Sequence, residues 1–275
     1  MTIARREFIK TGAIGLAAMS LAGTARADEP YGPFKMGIQS YTLRSYKTLD
    51  ETLTQIKILG LKYVEFYPGH RPVTTDAAKI KEYSEKLAAI GAKAMAYGVT
   101  GLGDKPDENR KTFEFAKAIG LYTITTTFAK KAALSLDKLC EEYPDMHVGI
   151  HNHGPTDTYK SPEDVLECIK DRHKNIGATA DLGHYIRSKQ DPLECIEKLK
   201  DRLFGIHFKD FDAKGKETIV GDAQLKVKET LALLKKLNFQ GCISLEYEDD
   251  KGGKDKLMAD VKEALNRVQK ACKEI

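Results

Sequence analysis

The feature of this sequence that most constrains its fold is a regular alternation of short apolar runs with amphipathic stretches. Runs rich in β-branched and aromatic residues recur, and each is followed by a segment whose apolar residues have helical spacing. Glycines at positions 60, 91 and 120 each end a helical stretch shortly before the next run, so one strand-helix unit takes about 30 residues. The predicted strands are Met36–Tyr41, Tyr63–Tyr67, Lys93–Tyr97, Tyr122–Phe128, His147–Asn152, Ile176–Asp181, Leu203–Lys209 and Cys242–Tyr247.

Eight alternating strand-helix units with no Pro/Gly/Ser-rich linker predict a single-domain (β/α)8 TIM barrel over residues 28–275. A barrel of this kind takes roughly 250 residues, so the 275-residue chain has no room for a second domain. The alternative is a doubly wound open sheet. It is disfavoured because the first predicted strand runs into Gln39-Ser40-Tyr41, where that fold carries a glycine-rich phosphate loop.

The segment 1–27 is similar to a twin-arginine signal peptide. Arg5-Arg6 precede an apolar, small-residue stretch over residues 11–23, and Ala25-Arg26-Ala27 forms a small-x-small cleavage site. A membrane-anchoring helix is the alternative, but the apolar stretch is shorter than the roughly 20 residues that a span requires. We therefore expect the twin-arginine export machinery to carry the folded protein to the periplasm or beyond.

The charge of the chain argues against a nucleic-acid partner. Four basic residues and one acidic residue in segment 1–27 supply three of the four net positive charges, which leaves the predicted barrel nearly neutral. No basic block stands out elsewhere, and duplex binding needs one. The five cysteines lack the spacing of a metal motif, so buried free thiols are expected.

Ionisable side chains are concentrated at the predicted C-terminal strand ends, where TIM barrels carry their active sites. Four of the seven histidines lie there. His151, Asp181, His207 and Glu246 come from four successive strands of the predicted barrel, so the fold would bring them together. Two imidazoles and two carboxylates suit one divalent ion such as Mn, Co, Zn or Mg. Each residue alone could instead be a hydrogen-bonded structural group.

Six short motifs stand at the predicted strand ends. They are Gly37-Ile38-Gln39-Ser40-Tyr41, Val64-Glu65-Phe66, His151-Asn152-His153-Gly154, Asp181-Leu182-Gly183-His184, Ile206-His207-Phe208-Lys209-Asp210 and Ser244-Leu245-Glu246-Tyr247. With these motifs the chain resembles the xylose isomerase-like TIM barrel superfamily, in its sugar phosphate isomerase/epimerase and inosose dehydratase branch, from about Lys35 to about Arg267. The resemblance implies a metal held by Asp181, His207 and Glu246, with His151 at a position where the relatives carry Glu.

The resemblance also implies a chemistry. A metal that chelates a ketone oxygen and the neighbouring hydroxyl stabilises an enediolate, and a base removes the proton between them. The leading hypothesis is a sugar isomerase or epimerase. Because epimerases of this kind use a second carboxylate where His151 stands, a lyase or hydratase acting on 3-keto-glycosides is a close alternative. Export and the absence of an Arg/Lys cluster favour a non-phosphorylated sugar or keto-glycoside.

Roles follow for the remaining strand-end residues. His184 is expected to contact substrate, although it could instead orient Asp181. Lys209 could form a simple ion pair with Asp210. A sugar could stack on Tyr41, Tyr97 or Tyr185, although an aromatic residue at a strand end is more often part of the core. The acid and base candidates are Glu246, Glu65, His153 and Lys209, and the substrate-binding candidates are His184, Gln39, Tyr41 and Asn152.

Two other classes of function remain open. A metal-dependent endonuclease of the endonuclease IV type shares the barrel, but it needs more His and Glu ligands and a basic surface. A non-catalytic sugar-binding barrel is compatible with His151 in place of a carboxylate.

Overall fold

The protein is a closed barrel of eight parallel strands, which confirms the predicted (β/α)8 fold. The computed structural model describes residues 29–128 and 132–275, so the predicted signal peptide lies outside the described residues. The strands are β1 Lys35–Gln39, β2 Tyr63–Phe66, β3 Lys93–Gly101, β4 Thr123–Thr127, β5 His147–His151, β6 Ile176–Asp181, β7 Leu203–Phe208, β8 Asp210–Phe211, β9 Glu217–Thr218 and β10 Cys242–Leu245. Around the barrel they follow the order β1-β10-β7-β6-β5-β4-β3-β2, and β8 and β9 form a separate hairpin.

Helices connect the strands, and several begin and end where the sequence signals them. Ser161 caps one helix through Asp164, and Asp191 caps another ahead of a proline. Gly60, Gly91 and Gly120 have φ of +68°, +70° and +70°, the left-handed conformation that ends a helix. The described helices are α1 Leu49–Ile58, α2 Ala77–Ala89, α3 Pro106–Ala118, α4 Ala133–Glu142, α5 Pro162–Ile169, α6 Leu182–Arg187, α7 Pro192–Leu199, α8 Val227–Lys236 and α9 Gly253–Lys273.

The interior of the barrel is polar beneath the strand ends. Thr125 and Thr179 meet there, with their hydroxyl oxygens 3.3 Å apart. Gly149 on β5 makes room for them, since a Cβ at that position would lie 2.2 Å from the Thr179 hydroxyl. Apolar side chains such as Ile124, Val148 and Ile206 are fully buried in the hydrophobic core.

Strand register brings the predicted site residues to one end of the barrel. Asp181 pairs with His207 across β6 and β7, and His151 closes the neighbouring strand β5. Glu246 follows β10, where its N–H donates to Phe208 O at 3.0 Å.

The five cysteines are free, and all except the partly buried Cys272 are buried, as predicted. Among the described helices, none is long and apolar enough to cross a membrane.

Candidate metal centre

Four buried side chains from four neighbouring strand ends converge on one point. Each of His151, Asp181, His207 and Glu246 offers one ligand atom, and these atoms all lie within 4.8 Å of one another. His207 Nδ1 is 3.1 Å from His151 Nε2 and 2.9 Å from Glu246 Oε2. Asp181 Oδ2 lies 3.5 Å from His151 Nε2 and 3.9 Å from His207 Nδ1. The structure thus brings together the four predicted ligands.

The donor atoms fit a divalent cation. Asp181 Oδ1 accepts the N–H of His184 at 2.8 Å, but Oδ2 is buried and has no hydrogen-bond partner among the described residues. A buried carboxylate oxygen without a partner is costly, and a cation at this point would satisfy it. Two imidazole nitrogens with two carboxylate oxygens form a donor set that suits Zn, Mn or Co.

Glu65 orients the His207 ring through Nε2, the ring nitrogen that faces away from the other candidate ligands. Its Oε2 lies 2.9 Å from His207 Nε2 and accepts the Ser244 hydroxyl at 2.7 Å. A proton on Nε2 then leaves the Nδ1 lone pair directed at the centre, as in the carboxylate-histidine pairs of metal sites. Without an ion, burial alone would lower the pKa of His207, but Glu65 and Glu246 raise it well above its usual value, so a bound cation would have to displace the proton from Nδ1.

Two predicted site residues contact the candidate ligands and do not line the neighbouring cavity. Glu65 is one of the four acid or base candidates, and its Oε2 is held by His207 and Ser244. Asn152 is predicted to contact substrate, but it is fully buried and its amide bonds both backbone groups of Asp181, at 2.8 and 2.9 Å. The structure thus gives both residues a contact with a candidate ligand, and their roles in proton transfer and substrate binding stay predictions.

A cavity of about 410 Å³ opens at the C-terminal face of the barrel and is lined by two of the four candidate ligands, His151 and Glu246. We call it the central cavity. The predicted residues Gln39, Tyr41, His153, His184 and Lys209 all line it. The complete lining is Gln39, Tyr41, Tyr67, Val99, His151, His153, His184, Arg187, Lys209, Glu246 and Glu248.

Comparison with known proteins agrees with this architecture. Residues 40–271 match the family described as xylose isomerase-like TIM barrel. The chain belongs to this family.

Proteins similar to this xylose isomerase-like chain include a dehydratase and, among solved structures, an epimerase. An inosose dehydratase of Lacticaseibacillus casei is 26% identical over 224 residues, which are 72% of this chain and 71% of that protein. A crystal structure of an uncharacterised Parabacteroides distasonis protein is 30% identical with TM-score 0.68, covering 86% of this chain and 99% of that one. The 3-keto-D-glucoside 4-epimerase of E. coli, 14% identical with TM-score 0.67, covers 86% and 99% and shows the same fold.

In this xylose isomerase-like barrel, Lys209 is a buried cation at the cavity wall. Its Nζ contacts the Glu248 carboxylate and lies 3.6 Å from Glu246 Oε2. Burial alone would lower the pKa of Lys209, but Glu246, Asp181 and Glu248 raise it above its usual range. Lys209 therefore stays protonated, which suits an acid or a stabilising cation and excludes a base.

Of the two roles that the sequence leaves open for Lys209, the ion pair with Asp210 is not the one seen, because the Lys209 ammonium contacts Glu248 and Glu246 instead. The Asp210 carboxylate instead accepts backbone N–H groups between residues 221 and 225 of the following loop. Neighbouring residues at a strand end point to opposite sides of the chain, so these two side chains diverge.

His184 is held by a residue that the sequence analysis missed. Arg187 Nη1 donates to His184 Nδ1 at 3.1 Å, which puts the ring proton of His184 on Nε2, and this nitrogen lies 3.8 Å from Asp181 Oδ2. Burial, the largest cause, lowers the pKa of His184 to about 4, so its ring is neutral. The spacing of three residues from Asp181 to His184 and again to Arg187 places all three on one helix face, a signal that could have identified Arg187.

His153 lies free of the ligand set on the β5 side of the central cavity. Its ring packs 4.6 Å from the His151 ring and 5.3 Å from the His184 ring. Burial, followed by the charge of His151, lowers the pKa of His153, which favours a neutral imidazole.

Aromatic residues divide between the core and the cavity. Tyr97 and Tyr185 are buried in the core. Tyr41 lines the cavity with Tyr67, another residue that the sequence analysis missed, and their ring centroids lie 5.0 Å apart.

Proposed function

We propose that this protein is a divalent-metal-dependent enzyme that removes a proton next to the carbonyl of a non-phosphorylated sugar. The observation that carries the proposal is the convergence of His151, Asp181, His207 and Glu246, with a partnerless Asp181 oxygen, beside a cavity that two of the four line. The relation to inosose dehydratase supports a reaction of this class.

The four ligands would hold one ion of Mn, Co, Zn or Mg. When bound, the ion supplies Lewis-acid polarisation of a substrate carbonyl, which makes the adjacent C–H more acidic. Glu65 keeps the His207 ring oriented and Asn152 fixes the backbone of Asp181, so the ligand atoms are positioned before substrate arrives.

Proton-transfer groups stand on two sides of the central cavity. Neutral His153 and His184 follow β5 and β6, whereas Glu246 and Lys209 stand at the ends of β10 and β7. A base on one side and an acid on the other serve either isomerisation and epimerisation or elimination. We place the sugar isomerase or epimerase reaction first and a lyase or hydratase reaction on 3-keto-glycosides as the alternative.

The proposed substrate is neutral and the proposed location is outside the cytoplasm. Lys209 in the cavity is paired with carboxylates, and Arg187, which donates to the neutral His184 ring, is a single cation rather than a cluster that would bind a phosphate. The sequence of residues 1–27 supports export through the twin-arginine pathway, with residues 28–275 as the exported barrel.

Solvent exchange tests the proposed reaction. The purified protein, loaded in turn with Mn, Co, Zn or Mg, is incubated in deuterated water with a panel of ketoses and 3-keto-glycosides, and products are followed by mass spectrometry. We expect deuterium at the carbon next to the carbonyl, with isomer or epimer formed in the first case and the aglycone released in the second. Metal-stripped protein serves as the control.

Two negative results separate the alternatives. Absence of both deuterium incorporation and elimination across the panel would reject the shared chemistry. If sugars nevertheless bind to the metal-loaded protein in that case, the protein is a non-catalytic sugar-binding barrel.

A further inference from the structure

A second cavity of about 400 Å³ adjoins the central cavity at the same end of the barrel. We call it the outer cavity. Its walls come from the loops that follow β1, β2 and β10, which are also C-terminal loops. Its lining residues are Tyr41, Arg44, Ser45, Lys47, Tyr67, Gly69, His70 and Asp250.

Tyr41 and Tyr67 line both cavities and form the boundary between them. Both rings are held by neighbours: the Arg44 guanidinium lies 4.9 Å from the Tyr41 ring centroid, and the Tyr67 ring meets His70 edge to face at 5.5 Å. A ligand that extends from one cavity into the other therefore passes over fixed, partly exposed aromatic rings. The C–H face of a sugar ring is apolar and packs on such a surface.

The polar groups of the outer cavity suit hydroxyls rather than a strong anion. Arg44 is paired with Asp250 at 2.9 Å and donates to the Glu248 carbonyl at 2.6 Å. The pair offers donors and an acceptor side by side, as vicinal hydroxyls require. The Ser45 hydroxyl is buried and has no hydrogen-bond partner within residues 29–128 and 132–275. Lys47 is exposed and its ammonium donates to the Arg44 carbonyl at 3.1 Å.

The outer cavity is joined to the central cavity by a shared backbone segment and a hydrogen bond. Glu248 lines the central cavity, and its backbone carbonyl is held by Arg44 of the outer cavity. Asp250 lies two residues further along the same segment. Each cavity is in the range of about 300–1,000 Å³ that holds a small ligand, so together they exceed what one sugar ring needs.

From these observations we infer that the outer cavity is a second sugar subsite, and that the substrate is a neutral glycoside of disaccharide size. This inference rests on the proposed function only in placing the reacting ring in the central cavity. The second ring packs across Tyr67 and is hydrogen-bonded by Arg44, Asp250 and Ser45.

Equilibrium binding of unreactive sugars tests the subsite independently of catalysis. The full metal-loaded protein is titrated calorimetrically with glucose and with cellobiose, maltose, trehalose and sucrose. We expect at least one disaccharide to bind about tenfold more tightly than glucose. Equal or weaker binding of all four disaccharides relative to glucose, including no measurable binding, would overturn the inference.

A matched pair of variants tests whether the outer cavity is the source of the preference for a disaccharide. Asp250→Ala removes the acceptor at the outer cavity, and the neighbouring Asp249, which lines neither cavity, provides the control Asp249→Ala. We expect Asp250→Ala to lower the disaccharide-to-glucose affinity ratio about tenfold and Asp249→Ala to leave it unchanged. An unchanged ratio in Asp250→Ala would contradict the subsite.

The two proposals can fail separately. A protein that prefers a disaccharide but exchanges no deuterium with any keto-sugar keeps the subsite and loses the proposed reaction. A protein that exchanges deuterium on monosaccharides and shows no disaccharide preference keeps the reaction and loses the subsite.

Discussion

The two sides of the central cavity differ in the charge of their side chains. The four candidate metal ligands lie at the ends of β5, β6, β7 and β10, and we call this side the charged half. The segments at the ends of β1, β2 and β3 add Gln39, Tyr41, Tyr67 and Val99 to the lining, none of which is an Asp, Glu, His, Lys or Arg, and we call this side the neutral half. Glu65 on β2 does not line the cavity and contacts His207 across the barrel, so we count it with the charged half. Under the proposed function, the charged half would supply the chemistry and the neutral half would bind and orient the ligand.

The largest expected effect comes from removing a ligand in the charged half. Asp181→Asn keeps the shape of the side chain but loses the charge and the partnerless oxygen, so divalent metal affinity should fall by more than about 100-fold. Metal titration and metal analysis of the purified protein measure it. The exposed Asp145 supplies the control Asp145→Asn, which should retain full metal content. Equal metal content in the two variants would show that the proposed centre is wrong.

A smaller loss of metal affinity is expected from changing Glu65, which holds the candidate ligand His207 but is not itself a ligand. Glu65→Gln weakens the hold on His207 Nε2, and we expect metal affinity to fall about 10- to 100-fold. Ser244→Ala removes only one hydrogen bond to the same carboxylate and should have the smaller effect of the two. If Glu65→Gln keeps its metal but loses deuterium exchange, Glu65 transfers a proton after all.

Arg187 lies at the edge of the charged half, and its variants should affect turnover without affecting metal. Arg187→Leu frees the His184 ring to reorient, so kcat/KM should fall about tenfold while metal affinity stays within about twofold. Arg187→Lys retains a donor and should recover part of the loss. Kinetics on the exchanging substrate, combined with metal titration, separate the two effects. Loss of metal in Arg187→Leu would contradict this division of labour.

The smallest expected effect lies in the neutral half. Tyr67→Ala removes an aromatic wall shared by both cavities, so sugar affinity should fall about three- to tenfold with metal affinity unchanged. Tyr67→Phe keeps the ring and should bind sugar like the parent. Calorimetric titration measures both variants. Sugar affinity equal to that of the parent in Tyr67→Ala would contradict a role of the neutral half in ligand binding.

The sequence predicted the barrel well because strand and helix signals alternate and the helix-ending glycines are unmistakable. Seven of the strands match their predicted bounds within two residues. The exception is β3, which continues past Tyr97 to Gly101 through an irregular register with β4. Such an irregularity depends on the neighbouring strand, which local sequence does not reveal.

The four metal ligands could be predicted because each ends a different strand and the topology brings strand ends together. The directions in which other side chains point could not be predicted from the sequence. The ion pair of Lys209 with Asp210, one of two roles that the sequence leaves open, rests on adjacency along the chain, although alternation along an extended chain separates the two side chains. Glu65 has His207 as its partner, a residue distant along the chain whose proximity only the closed barrel creates. The outer cavity depends on three loops that meet only in the folded protein.

X-ray absorption of the protein loaded with one equivalent of zinc or manganese tests the central claim most directly. Because His151 and His207 both present a nitrogen to the centre, we predict two imidazole ligands per ion, with carboxylate oxygens completing the set. The His207→Ala variant should show one imidazole fewer or bind no ion. A spectrum of the parent protein without imidazole scattering would contradict the account.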